Sequence, residues 1–323
     1  WALLILSHNI LALIFTPFLI AYALFFRKKN WWSSFLLGLG LTTYFWLPAL
    51  GERKFVTGLE LVNFADHFPA LFQLIFPSWG TGFSVAGILD GMSFQIGLDH
   101  LLVVGLSLVF LFKKKFAKNL PVFFLGWFFV LVFLSLEVSL PFWQIMPLMK
   151  YCQYPWRFLS LTILVTSFLA GWLAWRVKRS WLIGGLILLA VGLNFGYSRP
   201  VIYEPRNDVF YLKNPDWTTG TATLANSFNT IWAKEHSQFE QKIEKLEDRV
   251  RVNINYFPGW QVEVDGEKRE INLEEDGAFS FNLPAGSHQV KVKFRETPLR
   301  LISNAISLAS LLILGLKVIQ LLI

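Results

Sequence analysis

Residues 120–138 read LPVFFLGWFFVLVFLSLEV and carry no charge before Glu137. An apolar run of about 20 residues is long enough to cross the hydrocarbon core of a bilayer as a helix. Similar runs recur along the chain, so we expect a mainly α-helical, polytopic membrane bundle. The sequence predicts about seven spans, at 5–26, 32–50, 96–112, 120–138, 157–175, 181–197 and 301–321.

The composition differs sharply between parts of the chain. Only 16% of the 323 residues are charged, whereas a soluble domain normally has about 25%. The deficit lies in residues 1–197 and 300–323, while residues 198–299 resemble an ordinary soluble sequence. We therefore predict a membrane region of about six spans over 1–197, with outer loops at 51–95 and 139–156. A soluble domain over 198–299 and a final membrane helix over 300–323 follow.

The net charge of +7 is unevenly distributed. Residues 198–299 have a net charge of −3 and the rest of the chain has +10, so the basic surplus belongs to the membrane part. Lys and Arg cluster after the first, third and fifth predicted spans, at 27–29, 113–118 and 176–179. Basic residues concentrate in short cytoplasmic loops. This pattern indicates membrane topology rather than a nucleic-acid partner, and it predicts that the outer loops and the soluble domain are non-cytoplasmic.

The soluble domain has the pattern of a small β structure. Apolar and polar residues alternate over 250–256 and 290–294, which is typical of strands with one buried face. Asp265-Gly266 is a hairpin signal. We expect an antiparallel sheet or sandwich of about five strands. Residues 231–247 show helical spacing instead, so the domain is predicted to be α+β.

The sequence predicts no cofactor and no metal site. There is one cysteine, Cys152, and the five histidines lie in five different segments without metal-ligand spacing. The chain contains neither a Gly-rich phosphate loop ending in Lys-Ser/Thr nor a His-Glu-x-x-His motif.

Basic side chains near the predicted outer boundary form a candidate phosphate site: His8, Arg53, Lys150 and Arg157. Outer loops normally contain few Lys and Arg. Arg holds phosphate through two hydrogen bonds and Lys binds it as a point charge, and a lipid phosphate would lie at this depth. The alternative is that these residues anchor helix ends or reach the headgroups of the membrane itself. Arg157 is the strongest phosphate candidate, because Pro155 and Trp156 fix its approach.

Asp66 and His67 are a candidate acid–base pair in loop 51–95. A carboxylate beside an imidazole in a lipid-bordered pocket can have a pKa shifted toward neutrality. Adjacent residues on a helix point apart, however, and a loop Asp often caps a helix. Both interpretations are open from the sequence.

Five short motifs are similar to those of one family: SHN at 7–9, WLPA at 46–49, YPWRF at 154–158, YFPGW at 256–260 and LPAG at 283–286. They resemble the bacterial membrane proteins labelled "6-pyruvoyl-tetrahydropterin synthase-related" and the neighbouring YfhO-like proteins. This resemblance implies the GT-C superfamily, whose members transfer a sugar from a polyprenyl-phosphate carrier outside the cytoplasm. It also implies a multi-pass protein of the bacterial cytoplasmic membrane, with residues 198–299 extracytoplasmic.

The resemblance implies roles for the candidate residues. Arg157, with help from Lys150, His8 or Arg53, would hold the carrier phosphate, and the acceptor would be an external glycan or protein. The catalytic acid or base of the superfamily lies in its first outer loop, which we expect upstream of Trp1. Membrane lipids and a lipid-linked sugar donor are then the expected partners.

A non-enzymatic membrane protein is the alternative, either a flippase-like transporter or a cell-envelope assembly factor that displays the β domain. A transporter should have polar or broken spans at mid-membrane. Candidates in the second predicted span are Gly38, Gly40, Thr42 and Thr43. Charges inside the spans are nearly absent, which favours a site at the membrane boundary.

Overall fold

A computed structural model describes residues 1–56, 63–112, 119–198, 207–209, 230–232, 243–246 and 248–322. Over these ranges the protein is mainly helical and has a small β region, as the sequence predicts. The α-helices are α1 (Ala2–Ser7), α2 (Asn9–Phe25), α3 (Trp31–Leu41), α4 (Thr43–Gly51), α5 (Leu71–Ile75), α6 (Leu98–Leu111), α7 (Asn119–Ser135), α8 (Leu140–Ile145), α9 (Leu159–Val177), α10 (Ser180–Asn194) and α11 (Pro298–Leu322). The strands are β1 (Ile243–Leu246), β2 (Arg249–Val252), β3 (Trp260–Val264), β4 (Glu267–Arg269), β5 (Asn272–Leu273), β6 (Phe279–Asn282) and β7 (Val290–Phe294).

The chain folds into two compact units. The helical unit comprises Ser7–Trp31 and Val62–Glu204. The sheet unit comprises Trp1–Leu6, Trp32–Leu61 and Pro205–Ile323, so α4 and α11 belong with the strands.

In the helical unit, α9 is the central helix and packs against α6 and α7. Its buried residues Leu161, Val165, Leu169 and Trp172 recur every three or four positions and form one face of the helix. The opposite face exposes large apolar side chains such as Phe168. A helix that is apolar on both faces suits a protein that packs on one side and contacts lipid on the other.

The helices agree with a membrane protein but not fully with seven complete spans. Among the described residues, three helical segments are long and apolar enough to cross a membrane: Pro155–Val177, Ser180–Ser198 and Pro298–Gln320. The number rises to five if two bent pairs count as one span each, α3 with α4 (69°) and α7 with Glu137–Ile145 (89°). The apolar helices α2 and α6 are shorter. The 14 residues of α6 extend about 21 Å, against about 30 Å of hydrocarbon.

The strands form two antiparallel sheets, one of order β1-β2-β6-β5 and one of order β4-β3-β7. Their shared core contains Val250, Val252, Val262, Val264, Phe279 and Phe281. The predicted hairpin is present between β3 and β4. Asp265 and Gly266 have φ angles of 52° and 87°, the left-handed conformations that a two-residue hairpin turn requires. Seven strands are described where about five were predicted, because β4 and β5 are short and polar.

One predicted helix is wrong where it is described. Residues 243–246, inside the stretch 231–247 with helical spacing, form β1 and pair with β2. Backbone pairing with the neighbouring strand outweighs the local periodicity. Residues 233–242 of that prediction lie outside the described ranges.

In the sheet unit, a serine on α11 forms hydrogen bonds with backbone groups at the break between α3 and α4. The hydroxyl of Ser307 accepts a hydrogen bond from the Tyr44 amide at 2.9 Å and donates one to the Gly40 carbonyl at 3.1 Å. Thr42 and Thr43 donate their hydroxyls to carbonyls one turn earlier. The polar groups of the broken segment are therefore satisfied by packing contacts, as a membrane environment demands.

Candidate functional site

The helical unit positions Arg157 at the N-terminal end of α9. The 3₁₀ turn Pro155–Phe158 leads directly into this helix, and a second 3₁₀ turn, Met149–Cys152, precedes it. Gln153 joins the two turns with a φ of 64°. With a ψ of −49° and a hydrogen bond from the Tyr154 amide to the Cys152 carbonyl at 2.7 Å, Gln153 forms a γ-turn that reverses the chain. The Cys152 carbonyl and the Gln153 side chain then face Arg157.

The guanidinium of Arg157 is fixed along only part of its hydrogen-bonding edge. Its Nη1 donates to the Cys152 carbonyl and to Gln153 Oε1, both at 2.9 Å. Its central carbon lies 4.9 Å from the Tyr154 ring centroid and 5.8 Å from that of Trp156. Within the described part of the chain, Nε and Nη2 have no hydrogen-bond acceptor. A half-buried, oriented guanidinium with three open N–H bonds, one on Nε and two on Nη2, matches the geometry of a phosphate.

The thiol of Cys152 stays neutral beside this cation. Burial raises the pKa of Cys152 to about 11, and the positive charge of Arg157 only partly opposes that effect. The thiol therefore contributes no negative charge that would compete with a bound anion.

The other predicted phosphate ligands have different surroundings. Lys150 lies in the turn before Arg157, with its Nζ 5.5 Å from the Tyr151 ring centroid. His8 caps α2, where its Nδ1 accepts the Leu11 amide at 3.3 Å. His8 therefore has the role of a helix cap in this structure. Arg53 belongs to the sheet unit.

His67 does not pair with Asp66, the adjacent carboxylate. It is connected to a different carboxylate, that of Asp90, through the hydroxyl of Ser84. Asp66 is exposed and accepts the Asn63 amide at 3.0 Å. His67 Nδ1 lies 3.0 Å from Ser84 Oγ, and Ser84 donates its hydroxyl to Asp90 Oδ2 at 2.7 Å. Because Ser84 gives its one proton to Asp90, Nδ1 of His67 must be the donor, and Nε2 is left as the acceptor. This is the geometry of a positioned general base.

Aromatic contacts connect this imidazole to Arg157. The His67 ring stands edge-on to Tyr154, with centroids 4.9 Å apart, and Tyr154 stacks on Trp156. Sequence reasoning missed Ser84 and Asp90, because they come from a turn-rich stretch with no periodic pattern. Only the short polar side chains between glycines hinted at a hydrogen-bonded loop.

A cavity of about 280 Å³ has Trp156 in its wall. Polar and aromatic side chains on its wall include Ser93, Gln95, His100, Trp156, Ser160 and Tyr197. Trp79 donates its indole N–H to the Leu193 carbonyl at 2.8 Å, and Gln95 donates to the Tyr197 hydroxyl at 2.9 Å. These hydrogen bonds connect the loop before α6 to the C-terminal end of α10 and the turn that follows it, and they hold one wall of the cavity in place.

Neither a protein-family model, a curated protein nor a solved structure matches this chain. Within the described ranges, no group of three or more His, Cys, Asp or Glu side chains is placed to hold a metal ion.

Proposed function

We propose that this protein is a GT-C-like membrane glycosyltransferase of the YfhO-like kind. It moves a sugar from a polyprenyl-phosphate carrier to a glycan or protein acceptor outside the cytoplasm. The acceptor hydroxyl forms a bond with the anomeric carbon, the carbon–oxygen bond to phosphate breaks, and polyprenyl phosphate leaves. The hydroxyl proton passes to a general base.

The open guanidinium edge of Arg157 is the observation that carries this proposal. The leaving phosphate needs compensation for its charge, and an oriented guanidinium supplies it without reorganisation. The rings of Tyr154 and Trp156 lie beside this guanidinium, and Trp and Tyr favour the headgroup level of a membrane. A lipid phosphate has its charge at that level.

The resemblance implies a catalytic acid or base upstream of Trp1, and among the described residues His67 is a second candidate for the general base. Its Nε2 is left free to accept a proton, and the contact with Ser84 and Asp90 stabilises the imidazolium that results. The contact with Tyr154 keeps the imidazole beside the residue over which Arg157 lies.

The proposal includes a topology. All seven apolar segments cross a bacterial cytoplasmic membrane, and the bilayer thins locally around the shorter helices. Residues 198–299 are then extracytoplasmic and the basic loops cytoplasmic. The basic loop 113–118 lies outside the described residues. Cysteine-accessibility labelling tests this orientation, which fails if positions 114 and 268 label from the same side.

Transfer of labelled sugar from polyprenyl phosphate by the purified protein in nanodiscs tests the function. Charge-assisted hydrogen bonds contribute about 1.5–3 kcal/mol, so Arg157→Ala should slow transfer roughly 10- to 100-fold. Arg157→Lys should transfer sugar at an intermediate rate, because lysine keeps the positive charge but lacks the paired N–H donors of the guanidinium. Arg176→Ala, at the other end of α9, is the matched control and should transfer normally. Undiminished transfer by Arg157→Ala removes Arg157 from the carrier site.

The bend between α3 and α4 favours the alternative of a flippase-like transporter, since transporters bind substrate at broken helices. The threonine hydroxyls and Ser307 already satisfy the backbone groups at this break. We therefore expect that the wild-type protein does not translocate lipid in proteoliposomes. If it does, Thr42→Val should translocate lipid at the same rate. Translocation that stops in this variant would favour the transporter.

A further inference from the structure

Residues 80–91, in the segment before α6, form a closed loop whose ends lie side by side. The Gly80 carbonyl accepts a hydrogen bond from the Ser93 amide at 3.1 Å. The carbonyl of Gly91 comes so close to Gly80 that it leaves no room for a Cβ there. A compact surface loop with adjoining ends is an Ω-loop, and such loops are frequently functional. We call residues 83–89 the tip of this loop.

The tip exposes large apolar side chains and has no charge. Phe83 is 88% exposed and Leu89 is 91% exposed, and Val85 and Ile88 between them are exposed as well. From residue 68 to residue 89 the sequence contains no Asp, Glu, Lys or Arg. An uncharged surface with several exposed apolar side chains indicates an apolar partner.

The one carboxylate of the loop bonds to the loop itself. Asp90 Oδ2 accepts the Ser84 hydroxyl at 2.7 Å and the Val85 amide at 3.0 Å, and its Oδ1 accepts the Met92 amide at 2.8 Å. These three donors satisfy the carboxylate, so it shapes the loop and does not make the tip hydrophilic.

Hydrogen bonds to the preceding segment also fix the tip. The side-chain amide of Gln73, on α5, donates to the Ile88 carbonyl at 3.3 Å. The Gly87 amide donates to the Asp66 carbonyl at 3.0 Å. A hydrogen-bonded backbone therefore presents the apolar side chains of the tip in a defined arrangement.

The base of the loop is attached to the C-terminal end of α10. Trp79 donates its indole N–H to the Leu193 carbonyl at 2.8 Å, and the Tyr197 hydroxyl lies 2.6 Å from Ser93 Oγ. The segment Ser180–Ser198 is long and apolar enough to cross a membrane, and none of the residues of α10 is buried. Such a helix contacts lipid, so the base of the loop lies where this helix leaves the bilayer. Trp and Tyr favour that level.

We propose that the tip inserts into the membrane leaflet at which α10 ends, with lipid acyl chains as its partner. Continuity with the lipid-facing surface of α10 favours lipid over another protein. The tip contains no Lys or Arg, so apolar burial and not attraction to anionic headgroups drives the insertion. Insertion holds Ser84, and through it His67, at the membrane surface. The inference does not depend on the transferase proposal.

Electron paramagnetic resonance of the full chain in phosphatidylcholine nanodiscs tests the insertion. A nitroxide is attached to Phe83→Cys or to Leu89→Cys in a Cys152→Ser background. Oxygen concentrates among acyl chains and a nickel chelate in water, so the ratio of their collision rates with the nitroxide measures its depth. Both labels should lie about 5–10 Å below the headgroup boundary, the depth of interfacial apolar faces. Leu188→Cys on α10 is the lipid control and should lie deeper, and Lys268→Cys on β4 is the water control.

Charged substitutions at the tip are a second test. With a nitroxide at Ile88→Cys, the pair Phe83→Asp and Leu89→Asp should move the label from the bilayer into water. The matched pair Phe83→Leu and Leu89→Phe keeps the tip apolar and should keep the label in the bilayer. Thermal unfolding verifies that each variant folds, and if the Asp pair misfolds, the single labels at 83 and 89 decide.

Two results for the single labels would overturn the proposal. Access to the nickel chelate equal to that at position 268 would place the tip in water. Shielding from both oxygen and the chelate would place it against protein, either a second copy or another part of this chain.

Discussion

Glu52 and Arg300 form a buried ion pair that joins the end of α4 to the start of α11 in the sheet unit. Glu52 Oε2 accepts from Arg300 Nη2 at 2.6 Å and from Nε at 3.0 Å, while the Thr297 hydroxyl donates to Oε1 at 2.7 Å. The guanidinium also lies over the rings of Phe257 and Phe294, at 5.4 and 5.0 Å. One carboxylate therefore fixes the position where the last helix leaves the strands.

Removing one partner of this pair should destabilise the sheet unit strongly. Arg300→Met leaves Glu52, which is 8% exposed, as an unpaired buried carboxylate. The expected loss is about 3 kcal/mol of unfolding free energy, the lower end for broken buried pairs. Denaturant unfolding in mixed micelles measures it.

Two further variants give this prediction its controls. Glu52→Gln combined with Arg300→Met removes both charges and should recover part of the loss. Arg269→Ala breaks the exposed pair with Glu267 and should change stability by less than about 1 kcal/mol. Equal losses of unfolding free energy in Arg300→Met and Arg269→Ala would show that the buried pair stabilises the fold no more than the exposed pair does.

The Glu52–Arg300 pair is a contact that could not be predicted from the sequence. Its partners are 248 positions apart, and no local pattern connects them. Arg53 is a phosphate candidate from the sequence because Arg is rare in outer loops, whereas no sequence signal marks Glu52, which pairs with Arg300. Local signals worked where the physics is local: the apolar length of the span that contains α9, the alternation in β2 and β7, and the Asp265-Gly266 turn.

The same limit applies to the candidate site. Arg157 was predicted from its residue type and its flanking Pro155 and Trp156, and its geometry is compatible with that role. The partner of His67 was not predictable, because the loop from 78 to 97 has no period and its conformation depends on tertiary hydrogen bonds. The strand β1 was missed for the same reason, since pairing with β2 decides its conformation.

Close packing of α3 against α11 predicts a sharp effect at Gly40. A Cβ there would lie 2.3 Å from Ser310 Oγ and 3.2 Å from Ser310 Cβ. Gly40→Ala therefore requires a new Ser310 rotamer and a small shift of the helices, and it should cost about 1 kcal/mol, the lower end for overpacking. Adding Ser310→Gly should restore much of the loss, because it removes the atoms that clash. Thermal unfolding in detergent measures both variants.

Gly315→Ala is the matched control for this prediction. Nothing lies within 4 Å of a Cβ at Gly315, on the same helix α11. This variant should be neutral or slightly stabilising, since Ala favours the helix over Gly. A loss in Gly315→Ala as large as in Gly40→Ala would contradict the packing explanation.

Burial predicts that Cys152 is unreactive in the folded protein. With a pKa of about 11, on the order of 10⁻⁴ of the thiol is ionised at pH 7, and the thiolate is the reactive form. N-ethylmaleimide should therefore label Cys152 only after unfolding. A Ser198→Cys variant in a Cys152→Ser background exposes its thiol and should label at once. Comparable rates for the two thiols at pH 7 would refute the burial argument.

The sheet region should lose stability in acid through Asp265. A hydrogen bond from His288 and a second from the Gln289 amide hold the pKa of Asp265 below its ordinary value. A depressed carboxylate pKa stabilises the fold at pH values above the unfolded pKa, about 3.9. That stabilisation disappears as the pH falls through the lower folded value. Hydrogen exchange of the β3 and β4 amides between pH 5 and about pH 2 measures it.

Asp265→Asn isolates this effect, because Asn tolerates the left-handed φ of 52° at this position. The variant should be less stable than the wild type near neutral pH and should depend less on pH below about 4, since it has no proton to bind. Glu267→Gln changes a neighbouring carboxylate that is mostly exposed, and it should keep the wild-type acid dependence. An unchanged acid profile in Asp265→Asn would mean that other carboxylates control the acid response of this hairpin.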